Sequence, residues 1–410
     1  MIHPTPPAPK LKEDHRMTEL TLFTDEVRTF ISENLTPDLK RAGELCAGIY
    51  ADQPVALAWH KILNNKGWAV PSWPLAWGGT DWSFEQHTIF TRELTLSGAP
   101  SISPNATKMV GPVVIEFGSE KQKRHYLPRI RSGEDWWAQG YSEPGAGSDL
   151  ASLTCAAVRD GEHYIINGSK IWTTHAQWSN KIFCLVRTDT RGKPQEGITF
   201  LLFDLALPGI EIKPLISISG DHEFNQVFFN DVRVPVTALL GRENQGWSIA
   251  KYLLQHERGS KSATGLQVSL EHLKAFVSGK TATTSALMDD PAYRSELTRL
   301  EIGMATFSSF ENRIFSAVAS GQPVGTISSA LKIRRAEIKQ QLTQCVMAAV
   351  DYYGLVYQPQ VRAFGSHVEP IGSAIAATAA PQYLNDRAAT IYAGSNEVQR
   401  NIIAKATLGL

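Results

Sequence analysis

The sequence predicts an α+β chain in three successive parts, helical, β and helical again, and three observations carry that expectation. Apolar residues recur at helical spacing through roughly the first third of the chain. Short apolar runs punctuated by Asn-Gly, Asp-Gly and Pro occupy about Trp136 to Pro235. From Gly246 onward the helical period returns and the periodic segments become long. The expected organisation is an extension over 1–16, an N-terminal helical domain over 17–134, a β-barrel or sandwich domain over 135–238, and a C-terminal four-helix bundle over 239–410.

Each element has its own signal. Phe23, Val27, Phe30 and Ile31 mark one face of the first helix. Trp73-Pro74 and Gly78-Gly79 break the pattern into a loop, and helical spacing resumes from Phe84 to Leu96. A short helix is expected from Pro112 to Phe117, closed by Gly118 in a left-handed conformation. Ser119 and Gln122 have the spacing of a capping box for the next helix, which is expected to reach about Tyr126 before Pro128 disturbs it. In the β part, Asp160-Gly161 and Asn167-Gly168 both read as hairpin turns, and strands are expected at 164–166, 182–186, 198–203 and 226–229. Helices then follow over 247–276, 292–320, 327–353 and 382–406, the last interrupted near Gly394.

Composition narrows the function classes. The 410 residues leave room for a large core, and 40 basic residues balance 40 acidic ones without a basic block. Nucleic acid and an anionic membrane surface are therefore not expected as partners. No apolar run reaches transmembrane length. Cys46, Cys155, Cys184 and Cys345 are scattered, with no CxxC and no histidine pair at ligand spacing, so reduced structural thiols and no metal site are expected. Residues 1–16 lack the apolar core of a signal peptide, Met17 opens the first periodic segment, and the expected location is cytoplasmic.

The chemistry concentrates in Gln139-Gly140-Tyr141-Ser142-Glu143-Pro144-Gly145-Ala146-Gly147-Ser148-Asp149-Leu150. Its Pro and Gly residues favour a tight loop whose backbone approaches a ligand closely, with Ser142 and Ser148 offering hydroxyls on either side. Taken alone, such a loop is an ordinary turn with capping serines. A second segment, Lys170-Ile171-Trp172-Thr173-Thr174, follows a strand pattern a short distance on. Together the two resemble the flavin-binding signature of the acyl-CoA dehydrogenase family. The likeness continues in Val232-Arg233-Val234-Pro235, Leu240-Gly241, Gly246, Asp386-Arg387 and Ile391 to Arg400, so it spans nearly the whole chain from Met17.

The resemblance implies the acyl-CoA dehydrogenase fold, FAD, an acyl-CoA substrate and electron-transfer flavoprotein as acceptor. It implies that a carboxylate takes the Cα proton of the thioester while the Cβ hydrogen leaves as hydride to flavin N5. By motif position Gln139, Ser142, Gly147, Ser148, Trp172, Thr174, Ser395 and Glu397 resemble cofactor contacts, and Ser148, Arg258 and Ala393 resemble substrate contacts. Many relatives place the base directly before the glycine of the C-terminal motif, where this chain has Ala393; its backbone N–H remains able to bind the thioester oxygen. A subgroup that includes the isovaleryl and long-chain enzymes carries the base before an arginine on the first long helix after the β domain. Gln255-His256-Glu257-Arg258 matches that arrangement, and Glu257 shares a helix face with Leu253. Glu257 is the expected base; a solvated charge beside Arg258 is the plainer alternative.

Two departures bear on assembly. Where relatives carry an Arg-x-x-Phe-Gly segment that reaches a neighbour's pyrophosphate, this chain has Gly279 to Thr284 with neither arginine nor phenylalanine. A Gly-Gly-x-Gly segment is reduced to Tyr353-Gly354-Leu355-Val356. The expectation is a heterotetramer with a related chain, as in bacterial pimeloyl-CoA and steroid side-chain enzymes, whose large subunit the 139–204 region resembles. Two other readings stand beside the dehydrogenase: a catalytically silent partner subunit, and a flavin acyl-CoA oxidase. The acyl group itself is left open.

Overall fold

The computed structural model describes residues 10–257, 263–279, 282–319 and 326–409, without the side chains of 10–16, 255–257, 282–285, 318–319 and 408. Six helices come first: α1 (Lys10–Asn34), α2 (Pro37–Glu44), α3 (Gln53–Lys66), α4 (Phe84–Leu96), α5 (Gly111–Phe117) and α6 (Glu120–Ser132). The apolar face read from Phe23, Val27, Phe30 and Ile31 is buried against Trp59, Trp68 and Phe90. α4 begins at a capping box formed by Ser83 and Gln86, and α6 at the expected one formed by Ser119 and Gln122.

Two expectations in this region fail. Gly118 is extended (φ −73°, ψ 145°), not left-handed; glycine is needed there because a Cβ would stand 2.5 Å from the Val114 carbonyl oxygen. Pro128 does not end α6, which runs through it to a left-handed Gly133. A proline in a helix interior costs ~3 kcal/mol. Burial of Leu127 and Ile130, almost fully excluded from solvent, offsets that cost. A π turn over Asn105–Val110, leading directly into α5, was not expected.

Seven strands follow: β1 (Trp137–Gly140), β2 (Ala156–Asp160), β3 (His163–Lys170), β4 (Lys181–Arg187), β5 (Ile198–Asp204), β6 (Ile210–Ile216) and β7 (His222–Pro235). They form one curled sheet ordered β1-β4-β2-β3-β7-β6, with β5 paired to β4. β4 and β5 are covered on both faces and read as continuous apolar runs, whereas β7 alternates buried and partly exposed residues. The Asp160-Gly161 hairpin forms as expected between β2 and β3. Asn167-Gly168 is not a turn. It lies inside β3 as a bulge, where Gly168 (φ 140°) passes so close to Cys155 that a Cβ would meet its Cα at 2.8 Å.

The C-terminal part contains α7 (Gly246–Glu257), α8 (Ala263–Val277), α9 (Ala282–Asp289), α10 (Pro291–Ala319), α11 (Ile327–Val350), α12 (Pro359–Arg362), α13 (Ala374–Asp386) and α14 (Asn396–Ile403). α8, α10, α11 and α13 pack on one another around Leu270, Leu300, Phe307, Ile338 and Ala376. The break expected near Gly394 is present, with φ +82°. α7 instead joins a core shared by all three parts: Ile249, Ala250 and Leu253 pack with Val110, Val113, Trp137, Tyr141, Phe183 and Phe200. That core holds the π turn, the end of β1 and α7 in one place. No helix among the described residues is long and apolar enough to cross a membrane.

Candidate active site

β1 delivers the loop that follows it. Gln139 is half-buried and pairs in parallel register with Phe183 of β4. Beyond Gly140 the chain turns tightly: the Glu143 and Ala146 backbones exchange hydrogen bonds in both directions at 3.0 Å. Gly145 and Gly147 face open space, with nothing within 4 Å of where a Cβ would be. Ser148 is exposed on the far side of the turn, and Ser142 is half-buried on the near side.

The two sequence segments meet here. The Ser142 carbonyl accepts a hydrogen bond from the Ile171 N–H at 2.9 Å, so the loop after β1 and the segment after β3 run side by side. A buried ion pair fixes them together. Lys170, fully buried, lies 2.7 Å from Glu143 Oε1 and donates to the Tyr141 carbonyl at 3.1 Å. Glu143 also accepts from the Thr154 N–H at 2.7 Å, the Thr154 hydroxyl at 3.0 Å and the Cys155 N–H at 2.9 Å. Burial alone would push the Glu143 carboxyl up, but Lys170 and the backbone donors hold it below the ordinary carboxylate value. Both residues stood inside the quoted motifs, yet nothing in their spacing marked them as a pair.

After Lys170 the backbone enters the left-handed region twice, at Trp172 (φ 58°) and His175 (φ 58°). Such conformations cost about 1–3 kcal/mol each in non-glycine residues and concentrate at functional sites. Neighbouring strand β7 holds the segment in place. The Asn225 carbonyl accepts from the Thr173 N–H, Asn225 Nδ2 donates to the Thr173 carbonyl and Gln177 Oε1, and the Glu223 carbonyl accepts from the His175 N–H. His222 Nε2 lies 2.8 Å from Asn225 Oδ1. Burial, reinforced by His222, holds the His175 imidazole down at about 4, so it is neutral near pH 7. The Glu223 side chain joins the three parts of the chain, accepting from the Ile49 N–H, from Tyr50 N–H and from Asn385 of α13; burial pushes its carboxyl up, partly opposed by those donors.

The result is an indole with its surface left bare. Trp172 is 61% exposed and touches the edge of Phe224, with ring centroids 6.0 Å apart. A large aromatic face held outward by a strained backbone, beside a loop with open space over its glycines, fits a flat heterocycle. Thr174 is half-buried two residues on, and the neighbouring Thr173 hydroxyl is buried with no partner among the described residues.

The C-terminal motif sits elsewhere in the chain's own fold, packed on α11. Ala393 is exposed with φ +55°. Ser395 caps α14 by accepting from the Val398 N–H, Glu397 is exposed in its first turn, and Asn396 accepts from Lys332 at 3.1 Å. Asp386 pairs with Lys339 at 2.5 Å. Glu257 is the last residue of α7, one turn beyond the fully buried Leu253; its side chain, and Arg258 entirely, lie outside the described residues.

A helical part, a curled sheet that carries an exposed aromatic platform, and a helical bundle make up the three-part architecture of the acyl-CoA dehydrogenase fold. Family models for the acyl-CoA dehydrogenase N-terminal, middle and C-terminal domains match residues 17–134, 138–232 and 244–408. The chain belongs to the acyl-CoA dehydrogenase family, oxidoreductases that act on CH–CH bonds and generally bind FAD. It is 34% identical to acyl-CoA dehydrogenase IpdE1 of Mycobacterium tuberculosis over 96% of this chain and 98% of that one. Among solved structures it is similar to the Tcur3481-Tcur3483 steroid acyl-CoA dehydrogenase, with 27% identity, TM-score 0.79 and coverage of 96% and 98%. The ChsE4-ChsE5 complex of Mycobacterium tuberculosis matches at 26% identity and TM-score 0.77, covering 96% and 97%.

Proposed function

We propose that this chain dehydrogenates an acyl-CoA thioester to the α,β-enoyl-CoA, with Glu257 as the base. Bound FAD supplies the two-electron acceptor that takes the Cβ hydrogen with its electron pair. The Cα proton goes to the Glu257 carboxylate. Ala393 offers its backbone N–H to the thioester oxygen, where enolate-like charge develops, a role that needs no side chain. Gln139, Ser142, Gly147 and Thr174 hold the ring, Trp172 packs against it, Ser148 reaches the phosphates or the CoA portion, and Ser395 and Glu397 serve the far end of the cofactor. Arg258 steadies the substrate beside Glu257.

The observation that carries this reading is the junction of the two motif segments at Ser142 and Ile171, with the exposed Trp172 indole beside it. A flavin absorbance spectrum of the purified protein, followed by enoyl-CoA formation from acyl-CoAs with an artificial electron acceptor, tests it. Absence of flavin and of enoyl-CoA product would favour the silent-subunit reading.

We further infer that the working unit is a heterotetramer with a related chain and passes electrons to electron-transfer flavoprotein. Support comes from Tyr352, Tyr353, Leu355, Tyr357, Phe364 and Ile371, large apolar side chains that are at least 46% exposed within a short stretch of sequence, around the reduced glycine segment. A complex of two differently named chains among the structural relatives points the same way. Co-expression with related candidate chains tests the assembly; a stable homotetramer with one flavin per chain would overturn it.

A further inference from the structure

We propose that a single ordered water molecule occupies the cavity at the start of β1, hydrogen-bonded by Ser103, Asp135, His60 and Trp137, and that it braces the junction of helices and sheet there. This goes beyond the dehydrogenase reading and does not depend on it.

The cavity measures about 10 Å³, close to the room that one water needs. Its wall is drawn from four places in the chain: His60 of α3, Ser103 and Asn105 at the entry to the π turn, Ile130 of α6, and Asp135 to Trp137, which lead into β1. Asp135 is fully excluded from solvent, and Trp137, His60 and Ser103 are at most 4% exposed. Asn105 Nδ2 donates to the Trp137 carbonyl at 3.2 Å, so the π turn and the strand are tied together at this spot.

Four of the lining side chains carry a buried polar atom with no partner among the described residues: Ser103 Oγ, Asp135 Oδ2, His60 Nδ1 and Trp137 Nε1. Buried polar atoms are nearly always paired, so four orphans gathered around one cavity call for a common partner. Their other contacts fix what each atom can do. Asp135 Oδ1 takes both Arg129 Nε at 3.0 Å and Arg129 Nη2 at 2.9 Å, which leaves Oδ2 as an unused acceptor. His60 Nε2 donates to the Arg131 carbonyl at 2.8 Å. Burial holds the imidazole below its usual pKa, partly opposed by the Arg131 and Ile130 carbonyls, so the ring is neutral near pH 7 and Nδ1 is an acceptor.

The lining therefore presents two acceptors, Asp135 Oδ2 and His60 Nδ1, and two donors, the Ser103 hydroxyl and the Trp137 indole N–H. A water molecule donates twice and accepts twice, so its four bonds match the four groups. Ammonium has no lone pair for the two donors. A metal ion would face the indole N–H and a carboxylate already committed to Arg129. The water joins α3, the chain entering the π turn and the residues that open β1, the strand from which the 139–150 loop extends.

A crystal structure of the protein as purified, with any co-purifying partner chain and at a resolution that shows ordered water, tests the assignment. One density peak should lie in the cavity within about 2.7–3.2 Å of at least three of the four atoms. No peak there, or a Ser103 hydroxyl bonded directly to Asp135, overturns the assignment. Ser103→Ala gives an independent reading whose sign differs between the two cases. A hydroxyl that donates to water loses a hydrogen bond when removed, so Tm should fall by about 1–3 °C in differential scanning fluorimetry. Removing an unpaired hydroxyl from a dry cavity instead relieves a desolvation cost, so an unchanged or higher Tm overturns the assignment.

Discussion

Replacing Lys170 by Met tests how the cofactor loop is held. The substitution keeps the bulk of the side chain and removes the ammonium, leaving Glu143 at 6% side-chain exposure without its ion-pair partner. Three hydrogen bonds from Thr154 and Cys155 remain to Glu143, while the Tyr141 carbonyl loses its Lys170 donor. Breaking a buried pair by removing one partner costs about 3–5 kcal/mol. At about 2 °C per kcal/mol for a large chain, Tm should fall by roughly 5–10 °C. The pH dependence has a definite sign. Glu143 is held below its ordinary value, so its stabilisation is present above the unfolded carboxylate pKa near ~4.3 and is lost as pH falls through the folded value. Without Lys170 that folded value rises, and the acid loss of stability begins at higher pH. Differential scanning fluorimetry across pH, with flavin occupancy measured by absorbance, follows both effects. The double variant Glu143→Leu with Lys170→Met, which removes the stranded charge, should recover part of the loss. An unchanged Tm and full flavin occupancy in Lys170→Met would refute the claim that this pair anchors the loop.

Three further outcomes follow from the geometry. Ala393→Gly should stabilise the protein by about 0.5–1 kcal/mol in chemical denaturation, because Ala393 has φ +55° and glycine removes the left-handed strain. Trp172→Ala should weaken FAD binding in a fluorescence titration while lowering Tm little, since the 61% exposed indole contributes little to the core. His175, held down at about 4, should stay neutral in an NMR titration above pH 5. Its contribution to stability is complete above the unfolded pKa near ~6.5 and declines as pH falls toward the folded value, so His175→Asn should flatten that part of the profile relative to wild type.

Much of the fold was legible because local signals agreed with tertiary demand. The apolar face of α1, the Ser119–Gln122 cap and the Asp160-Gly161 hairpin each satisfy a local rule and a packing need at once. The misses came where long-range packing overrode the local rule. Leu127 and Ile130 carry α6 through Pro128, and close approach to Cys155 turns Asn167-Gly168 from a hairpin into a bulge. At the site, the motifs named two segments that the structure brings side by side, but not what braces them. The Glu143–Lys170 pair, the Asn225 bridge to Thr173 and the π turn over Asn105–Val110 depend on chain segments distant in sequence, and no periodicity reports such meetings.

The proton transfer assigned to Glu257 is the central claim, and Glu257→Gln addresses it most directly. The variant should bind FAD as wild type does, because Glu257 closes α7 and is not among the residues assigned to the cofactor. Enoyl-CoA formation measured at equal flavin loading should then fall by about 10²–10⁴-fold. Turnover equal to wild type at that loading would contradict the assignment and move the base to another residue or another chain.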